Sequence, residues 1–276
     1  MKLSIIVVNH NNGLLLKQTL NSLVDAAKNI DYELIVINNS SKDGSLEMLQ
    51  NNFPDITAVF NETDFGTAKA NNQALKISSG EYVLLVNPDT ICINGSLEKM
   101  ISFMDVHTDT GGMGIRMITS EGRFLPESKH GLTKPWITFF KFIGFAKYLS
   151  KTRLYNRNVK DWIEEFQIAE VDLLNGACML LRKSVLNVTG LFDERFFMYG
   201  HDIDLSYRIR LAGYKNYYFP KTYIINFESQ HMAKFSWNYI KYFYGAMFIF
   251  AFKYLVKMPE IKLGIPQLFH SSYGVK

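Results

Sequence analysis

The sequence predicts an α/β protein built around a mostly parallel sheet. In residues 1–90, short apolar runs rich in β-branched residues alternate with segments whose apolar side chains recur at helical spacing, which is typical of βαβ units. The runs at 3–8, 33–37 and 82–86 are mainly apolar, as expected for parallel strands that helices cover on both faces. With 276 residues, 47% of them hydrophobic, the chain can form one large core.

The later elements follow from the same periodicities. The helices expected from this pattern lie at 16–27, after Gly44, and at 67–77, 96–106, 184–188 and 202–211. The other strands are expected at 56–60, at 113–118 and within the apolar run 171–181. The stretch 119–170 is irregular. We therefore expect one α/β domain over 1–230 and a helical extension over 231–276.

Composition and the N-terminus narrow the class of protein. The 30 basic residues barely outnumber the 26 acidic ones, and a net charge of +4 gives no basis for nucleic-acid binding. Cys92 and Cys178 both lie in apolar runs, where buried free thiols are usual, and this indicates a reducing compartment. The first apolar run stops at Asn9, too early for a signal peptide. We expect a cytoplasmic protein.

Asparagine follows three of the predicted strands. Asn9, Asn38 and Asn87 come directly after the runs that predict parallel strands. In open parallel sheets, ligands bind beyond the carboxyl ends of the strands. A turn explains any one of these asparagines equally well, because Asn suits turns. The three together favour a binding site at this edge of the sheet.

Four segments carry residue choices that local structure does not explain. They are Asn38-Asn39-Ser40-Ser41-Lys42-Asp43-Gly44, Asn87-Pro88-Asp89-Thr90, Asn175-Gly176-Ala177 and Tyr199-Gly200-His201-Asp202-Ile203-Asp204. In their order and spacing, the chain resembles glycosyltransferase family 2 over about residues 3–230, and especially its rhamnosyltransferase-like branch. The resemblance implies a GT-A fold. It also implies inverting transfer of a sugar from a nucleoside diphosphate to a hydroxyl of a glycan or lipid-linked acceptor in surface polysaccharide assembly.

The resemblance assigns the donor site to the ends of the first strands and places the base near Asn38. The donor-binding residues that it implies are Asn9, Asn38, Asp43, Asn71, Asn87 and Asp89. The family usually has Asp at the position of Asn38; an amide lacks the charge but can still accept a hydrogen bond from a base N–H. We expect uridine or thymidine diphosphate in preference to guanosine diphosphate.

Asp89 stands where the family holds Mg²⁺ or Mn²⁺ against the donor diphosphate. A hard divalent cation takes oxygen ligands and neutralises charge on the leaving group. A Pro-Asp turn before the helix at 96–106 is the alternative explanation for Asp89. Asn87 replaces the first carboxylate of the family motif, and Asn226, with His231 a few residues later, occupies the place of a metal-binding His. These departures imply a weakened or rebuilt metal site.

The resemblance assigns the role of general base to Asp202, which aligns with the Asp of the family's Glu-Asp pair. This carboxylate would remove the proton of the attacking acceptor hydroxyl. Asp at a helix start is also a favoured N-cap, and both roles can hold at once. Gly176 and His201 are expected to bind the acceptor. His201 replaces the usual Glu; binding to the diphosphate or to the metal is also open to it, and a polar surface position explains it equally well. Asp204 and Arg208, four residues apart, predict an ion pair.

Aromatic residues and lysines crowd into the segment 234–257. The uncharged stretch between Lys241 and Lys253 is far shorter than the roughly 20 residues that a spanning helix needs. A basic, aromatic helix of this kind can lie in a membrane interface, and the segment 136–148 can do the same. Packing against the core or in a homodimer explains the pattern equally well.

Two other functions fit parts of the sequence. A non-catalytic homologue that binds a nucleotide sugar or a glycan is suggested by the departures at Asn38, His201 and Asn226. The presence of Asp89 and Asp202 favours an enzyme. A dinucleotide-dependent oxidoreductase needs a glycine-rich turn after the first strand, where this chain has Asn9-His10-Asn11-Asn12-Gly13. The glycosyltransferase hypothesis explains more of the motifs than either.

Overall fold

The structure, a computed structural model, describes residues 1–130, 136, 138–140, 143, 165–227 and 237–256. Its first part follows the βαβ pattern that the sequence predicts. The elements are β1 (Leu3–Asn9), α1 (Gly13–Ala27), β2 (Tyr32–Asn39), α2 (Ser45–Asn52), β3 (Thr57–Asn61), α3 (Gly66–Ile77) and β4 (Tyr82–Val86). β1 pairs in parallel with β2 and β4, and β2 pairs in parallel with β3.

The second part adds strands in both directions. Its elements are β5 (Thr90–Cys92), α4 (Ser96–Val106), β6 (Thr110–Ile118), α5 (Glu127–His130), β7 (Ala169–Val171), β8 (Cys178–Arg182), α6 (Lys183–Thr189), α7 (His201–Leu211) and β9 (Lys215–Asn226). The strand order is β3-β2-β1-β4-β8-β6-β9-β5, with β7 paired to β9. Because β8 runs antiparallel to both β4 and β6, the sheet is parallel in its first four strands and mixed beyond them. The predicted α/β class is confirmed.

Helices cover both faces of this sheet. On one face, α1 and α4 bury side chains such as Leu20 and Met100 against β1 and β4. On the other face, α3 lies against the sheet through Ala68, Ala70 and Ala74, and α6 and α7 continue the layer. Since both faces are filled, ligands have access only at the edges where the strands end.

The C-terminal helix α8 (Trp237–Ala251) packs on α7 and continues into a π-helix (Phe252–Val256). Phe243, Met247 and Phe250 of α8 share one buried cluster with Tyr207 of α7 and with Phe196. Packing against the core, one of the explanations that the sequence left open, therefore accounts for one face of α8.

The hypothesis of membrane association concerns the helix faces that do not pack against the core. Within the ranges given above, no helix combines the length and the apolar character that crossing a bilayer requires. His231 and most of the segment 136–148 lie outside the described residues.

Candidate active site

The carboxyl ends of β1 and β2 meet in one polar network. Asn9 and Asn38 are register partners, and the Asn9 Nδ2 atom lies 2.9 Å from Asn38 Oδ1. The same Nδ2 atom lies 3.0 Å from the hydroxyl oxygens of Ser41 and Ser45. Both amides are buried, and Asn9 Oδ1 has no hydrogen-bond partner among the described residues. The predicted site residues Asn9 and Asn38 thus lie together, with one acceptor still available.

Asp43 fixes the start of two helices beside this network. Its carboxylate accepts hydrogen bonds from the backbone N–H of Gly13, at 2.7 Å, and of Ser45, at 3.2 Å, and from the Ser45 hydroxyl. Burial by itself would raise the pKa of Asp43, but these hydrogen bonds outweigh burial and lower the pKa. Asp43 is therefore an ionised residue that joins the N-termini of α1 and α2.

A second polar network follows β2 and β3, and the sequence predicted only part of it. The Asn39 amide donates to the Asp64 carboxylate at 2.5 Å and accepts from Asn61 at 3.0 Å. Asn61 also exchanges hydrogen bonds of 2.8 and 3.1 Å with Gln73 on α3. The predicted donor residue Asn71 is buried on the same helix. Asn61 and Asp64 come at the end of a strand, the same signal that identified Asn9 and Asn38.

Asp89 lies between β4 and β5 at the same edge of the sheet and is buried. β5 pairs with the end of β9, so that Thr90 faces Asn226, and the Phe227 backbone N–H donates to the Asp89 carbonyl at 2.8 Å. Asn226 Oδ1 is buried without a hydrogen-bond partner in the described part of the chain. The structure therefore brings Asp89 beside the residue that replaces the family's metal-binding His.

Oxygen atoms at this edge are of the type that binds a divalent cation, but the protein supplies few of them. The described residues contain no group of three His, Cys, Asp or Glu side chains placed to hold a metal ion. The Asp89 carboxylate and the unsatisfied amide oxygen of Asn226 are both hard ligands of the kind that Mg²⁺ and Mn²⁺ take. A set with a single carboxylate needs further oxygens, such as those of a diphosphate, to complete it.

Asp202 is the second residue of α7, and Gly200, with φ +82°, occupies the N-cap. Gly200, and not Asp202, is therefore the N-cap residue of this helix, and Asp202 lies in its first turn. Its Oδ1 accepts from the Ile203 N–H at 2.9 Å, and its Oδ2 accepts from the Gly176 N–H at 3.0 Å. A Cβ atom at Gly176 would lie 3.0 Å from that Oδ2, so a side chain there would crowd the contact.

The turn at 175–177 connects Asp202 to the segment of Asp89. The Ala177 carbonyl accepts a hydrogen bond of 3.0 Å from the Asn87 N–H, two residues before Asp89. Gly176, the neighbour of Ala177, donates to Asp202. The turn at 175–177 thus bonds to the predicted base Asp202 on one side and, through Asn87, to the segment of the predicted donor residue Asp89 on the other.

His201 lies beneath this part of the site. The imidazole is buried with its edge against Phe192, at a centroid distance of 5.2 Å. Burial lowers its pKa below the ordinary value, which keeps the ring neutral at pH 7, and Nδ1 has no hydrogen-bond partner among the described residues. The alternative of a polar surface position for His201 is wrong, because Phe192 covers the ring. The predicted ion pair between Asp204 and Arg208 is confirmed, at 2.9 Å.

Fold and site together define a glycosyltransferase of the GT-A type, and comparisons with known proteins agree. The family model described as Glycosyl transferase family 2 matches residues 4–164, and the chain belongs to this family. It is 23% identical over 246 residues to an N-acetylglucosaminyl-diphospho-decaprenol L-rhamnosyltransferase of Mycobacterium tuberculosis, a match that covers 84% of this chain and 78% of the relative. The predicted resemblance to the rhamnosyltransferase-like branch is confirmed.

Two solved structures show the same fold. TarS 1–349 of Staphylococcus aureus, in complex with UDP-GlcNAc, aligns with a TM-score of 0.60 and 20% identity over 84% of this chain and 60% of that chain. The mannosyltransferase PcManGT from Pyrobaculum calidifontis, in complex with GDP-Man and Mn²⁺, aligns with a TM-score of 0.56 and 17% identity over 83% of this chain and 58% of that chain. This chain spans less than two thirds of either structure, and the likeness shows the fold.

Proposed function

We propose that the protein is an inverting glycosyltransferase that moves a sugar from a nucleoside diphosphate to a hydroxyl of a glycan or lipid-linked acceptor in surface polysaccharide assembly. The observation that carries this proposal is that the turn at 175–177 bonds both to Asp202 and to Asn87, two residues before Asp89. One carboxylate lies at the strand edge expected for the donor. The other begins the helix expected to face the acceptor.

The donor is proposed to lie along the ends of β1, β2 and β4. Asn38 Oδ1 already accepts from Asn9, and its second lone pair can accept from a base N–H. Asp43 and Asn71 support this region from α1, α2 and α3, and Asn87 and Asp89 lie next to the diphosphate. Uridine or thymidine diphosphate is the proposed nucleotide, in line with the UDP-GlcNAc complex of the structural neighbour.

Asp202 is the proposed general base. It takes the proton of the acceptor hydroxyl as that oxygen attacks the anomeric carbon opposite the leaving diphosphate. Each carboxylate oxygen already accepts one backbone N–H, which fixes the side chain and leaves a lone pair for the hydroxyl. Gly176 gives the acceptor room beside this carboxylate, and the buried ring of His201 supports the acceptor side from below.

A divalent cation is proposed to bind with the donor. Asp89 and the amide oxygen of Asn226 are the protein groups that would hold Mg²⁺ or Mn²⁺. When bound, such an ion neutralises charge on the departing diphosphate. The single carboxylate supports weak binding of the cation in the absence of nucleotide.

The site of action is proposed to be the cytoplasmic face of a membrane that holds a lipid-linked acceptor. The outward face of α8 and of the π-helix after it exposes four aromatic residues: Trp237, Tyr244, Phe248 and Phe252 are 79%, 57%, 72% and 51% exposed. The sequence from 229 to 259 carries lysines but no Asp or Glu, which suits an anionic lipid surface. Cys92 and Cys178 are buried free thiols, as expected in a reducing compartment. A homodimer through the same face is the alternative.

Ligand binding and transfer test the proposal in two stages. A thermal-shift panel compares the diphosphates of uridine, thymidine and guanosine and their sugars, with and without Mn²⁺, because a ligand of the folded state raises the melting temperature. Transfer to acceptors is then measured with the best donor. Binding without transfer, unchanged in Asp202→Asn, would favour the non-catalytic homologue. Absence of any nucleotide binding would contradict both functions.

A further inference from the structure

Asp204 lies one turn into α7, two residues after Asp202, and its side chain is fully buried. Oδ2 accepts from Arg208 Nε at 2.9 Å, within the same helix. Oδ1 accepts from Lys253 Nζ at 2.6 Å and from the Tyr254 hydroxyl at 2.7 Å. A buried carboxylate is stable only when it is paired and hydrogen-bonded. The environment of Asp204 therefore depends on the π-helix that follows α8.

Lys253 also holds the loop that precedes α7. Its Nζ atom donates to Asp193 Oδ2 at 2.8 Å, and Asp193 is paired a second time with Arg195 at 2.6 Å. Hydrogen bonds from Arg195 and then from Lys253 keep the pKa of Asp193 far below its usual range, so the carboxylate stays ionised. One ammonium group thus bridges the loop 190–200 and α7.

The same loop is also held by contacts with α8 and α3. The Phe197 ring stacks on Tyr242 of α8, with a centroid distance of 4.4 Å and an interplanar angle of 17°. The Phe197 carbonyl accepts from the Thr67 N–H of α3 at 2.6 Å. Gly66 has φ +75°, and a Cβ atom there would lie 2.4 Å from that carbonyl oxygen. The loop 190–200 is therefore held between α3 and α8, directly before the helix that carries Asp202.

We propose that Lys253 is a positioning residue for Asp202. The C-terminal helix α8 and the π-helix after it then help to hold the acceptor half of the site, which is the region around Asp202 on α7. This inference rests on the proposed role of Asp202 as the base. Without the Lys253 ammonium, Asp193 keeps Arg195 and Asp204 keeps Arg208, but the two carboxylates lose the one cation that they share. Arg208 still joins α7 to the carbonyls of residues 189–191, so α7 shifts against the rest of the loop, and Asp202 moves with α7.

The experiment compares Lys253→Met with Lys253→Arg and with Lys241→Met. Methionine keeps the length of the stem without the charge, and arginine restores the charge. Lys241 is an exposed lysine of α8 whose ammonium lies over the Tyr242 ring and not beside Asp193 or Asp204. Three quantities are measured: kcat for transfer, the donor dissociation constant, and hydrogen exchange of the amides at 201–211. A displacement of about 1 Å in a catalytic group costs up to about 100-fold, so kcat should fall about 10- to 100-fold in Lys253→Met.

The donor dissociation constant should change by less than about twofold, because a loss confined to kcat marks an interaction made in the transition state. Exchange at 201–211 should become faster, Lys253→Arg should recover most of the turnover, and Lys241→Met should behave as wild type. Wild-type kcat and exchange in a folded Lys253→Met protein would overturn the inference. A donor affinity that falls in step with kcat would also overturn it, because that result marks general loosening.

Tyr254→Phe is the second variant, to be used if Lys253→Met does not fold. It removes only the hydroxyl that donates to Asp204, and the same three quantities should change in the same direction by a smaller factor. Hydrogen exchange does not depend on transfer. A chain that transfers no sugar but still loosens at 201–211 in either variant would contradict the proposed function and support the bridge from Lys253 to α7.

Discussion

The proposed donor half of the site, at the ends of β1 and β2, and its proposed acceptor half, around Asp202 on α7, are held together by different means. In the donor half, buried amides and hydroxyls at the ends of β1 and β2 bond to one another across at most 36 positions, as Asn9 and Ser45 do. In the acceptor half, charged and aromatic groups from distant parts of the chain fix α7, as Lys253 does across 49 positions. A parallel sheet alone decides which strand ends meet. The acceptor half depends in addition on where one helix docks.

The largest effect should come from Asp202→Asn, in the acceptor half. The amide cannot take a proton from the acceptor hydroxyl, and loss of a general base lowers kcat by about 10²- to 10⁴-fold. Donor binding should stay close to that of wild type, because the donor residues belong to other strand ends. Turnover with the natural acceptor and calorimetry with the nucleotide measure the two effects separately. Near wild-type turnover would remove Asp202 from the mechanism.

Asn9→Ala, in the donor half, should change stability and nucleotide binding instead of turnover. It leaves Asn38 Oδ1 and two hydroxyls without their buried donor, which should lower the free energy of unfolding by about 1–3 kcal/mol. Nucleotide binding should weaken, while kcat at saturating donor should change little. Urea denaturation and calorimetry measure these effects, with Asn29→Ala as the control at an exposed position. Equal nucleotide affinity in both variants would place the base elsewhere.

The sequence predicts the meeting of the polar strand ends well because its signals are local. Strand periodicity and a polar residue at each strand end suffice to bring Asn9, Asn38 and the segment of Asp89 to one edge. The prediction misses the first residues of β6, because Gly111 and Gly112 are poor strand formers. These positions need glycine, since a Cβ atom at Gly112 would lie 2.6 Å from the Leu174 side chain.

The acceptor half shows where sequence patterns stop being sufficient. The resemblance assigns the role of base to Asp202, but only the tertiary structure shows that His201 is buried beside Phe192. Phe192 is itself held by Asn72 of α3, which exchanges hydrogen bonds of 2.9 and 3.0 Å with its backbone across 120 positions. Likewise, no periodicity in the segment 234–257 indicates that Lys253 pairs with Asp204. Contacts of this kind follow from docking and not from any local spacing.

The coupling between metal binding and nucleotide binding tests the part of the donor half where the protein supplies the fewest metal ligands. With one carboxylate available, Mn²⁺ should bind weakly alone and more tightly when the donor diphosphate supplies further oxygens. Such couplings typically change affinity about 5- to 150-fold, and Asp89→Ala should remove the effect. Calorimetric titration of Mn²⁺ with and without the best nucleoside diphosphate measures it. Equal affinity in both titrations, or coupling that survives in Asp89→Ala, would show that Asp89 does not hold the ion.

The smallest expected effect separates the two faces of α8. The inner face belongs to the catalytic unit, whereas the outer face should contribute only to lipid binding. Phe248 is 72% exposed in the protein. A phenylalanine that is partly buried in a lipid interface contributes about 1 kcal/mol to binding, so Phe248→Ser should weaken binding to anionic vesicles about fivefold. Transfer to a water-soluble acceptor should not change.

Flotation with phosphatidylglycerol vesicles, compared with phosphatidylcholine vesicles, measures the lipid contribution. Val188→Ser is the matched control, because Val188 is 65% exposed on α6 and lies outside the aromatic face. Its vesicle binding should equal that of wild type. If Phe248→Ser instead shifts a dimer to a monomer in sedimentation and leaves flotation unchanged, the outer face of α8 is a contact between two copies of the chain. The acceptor half would then be completed by a partner protein and not by a lipid surface.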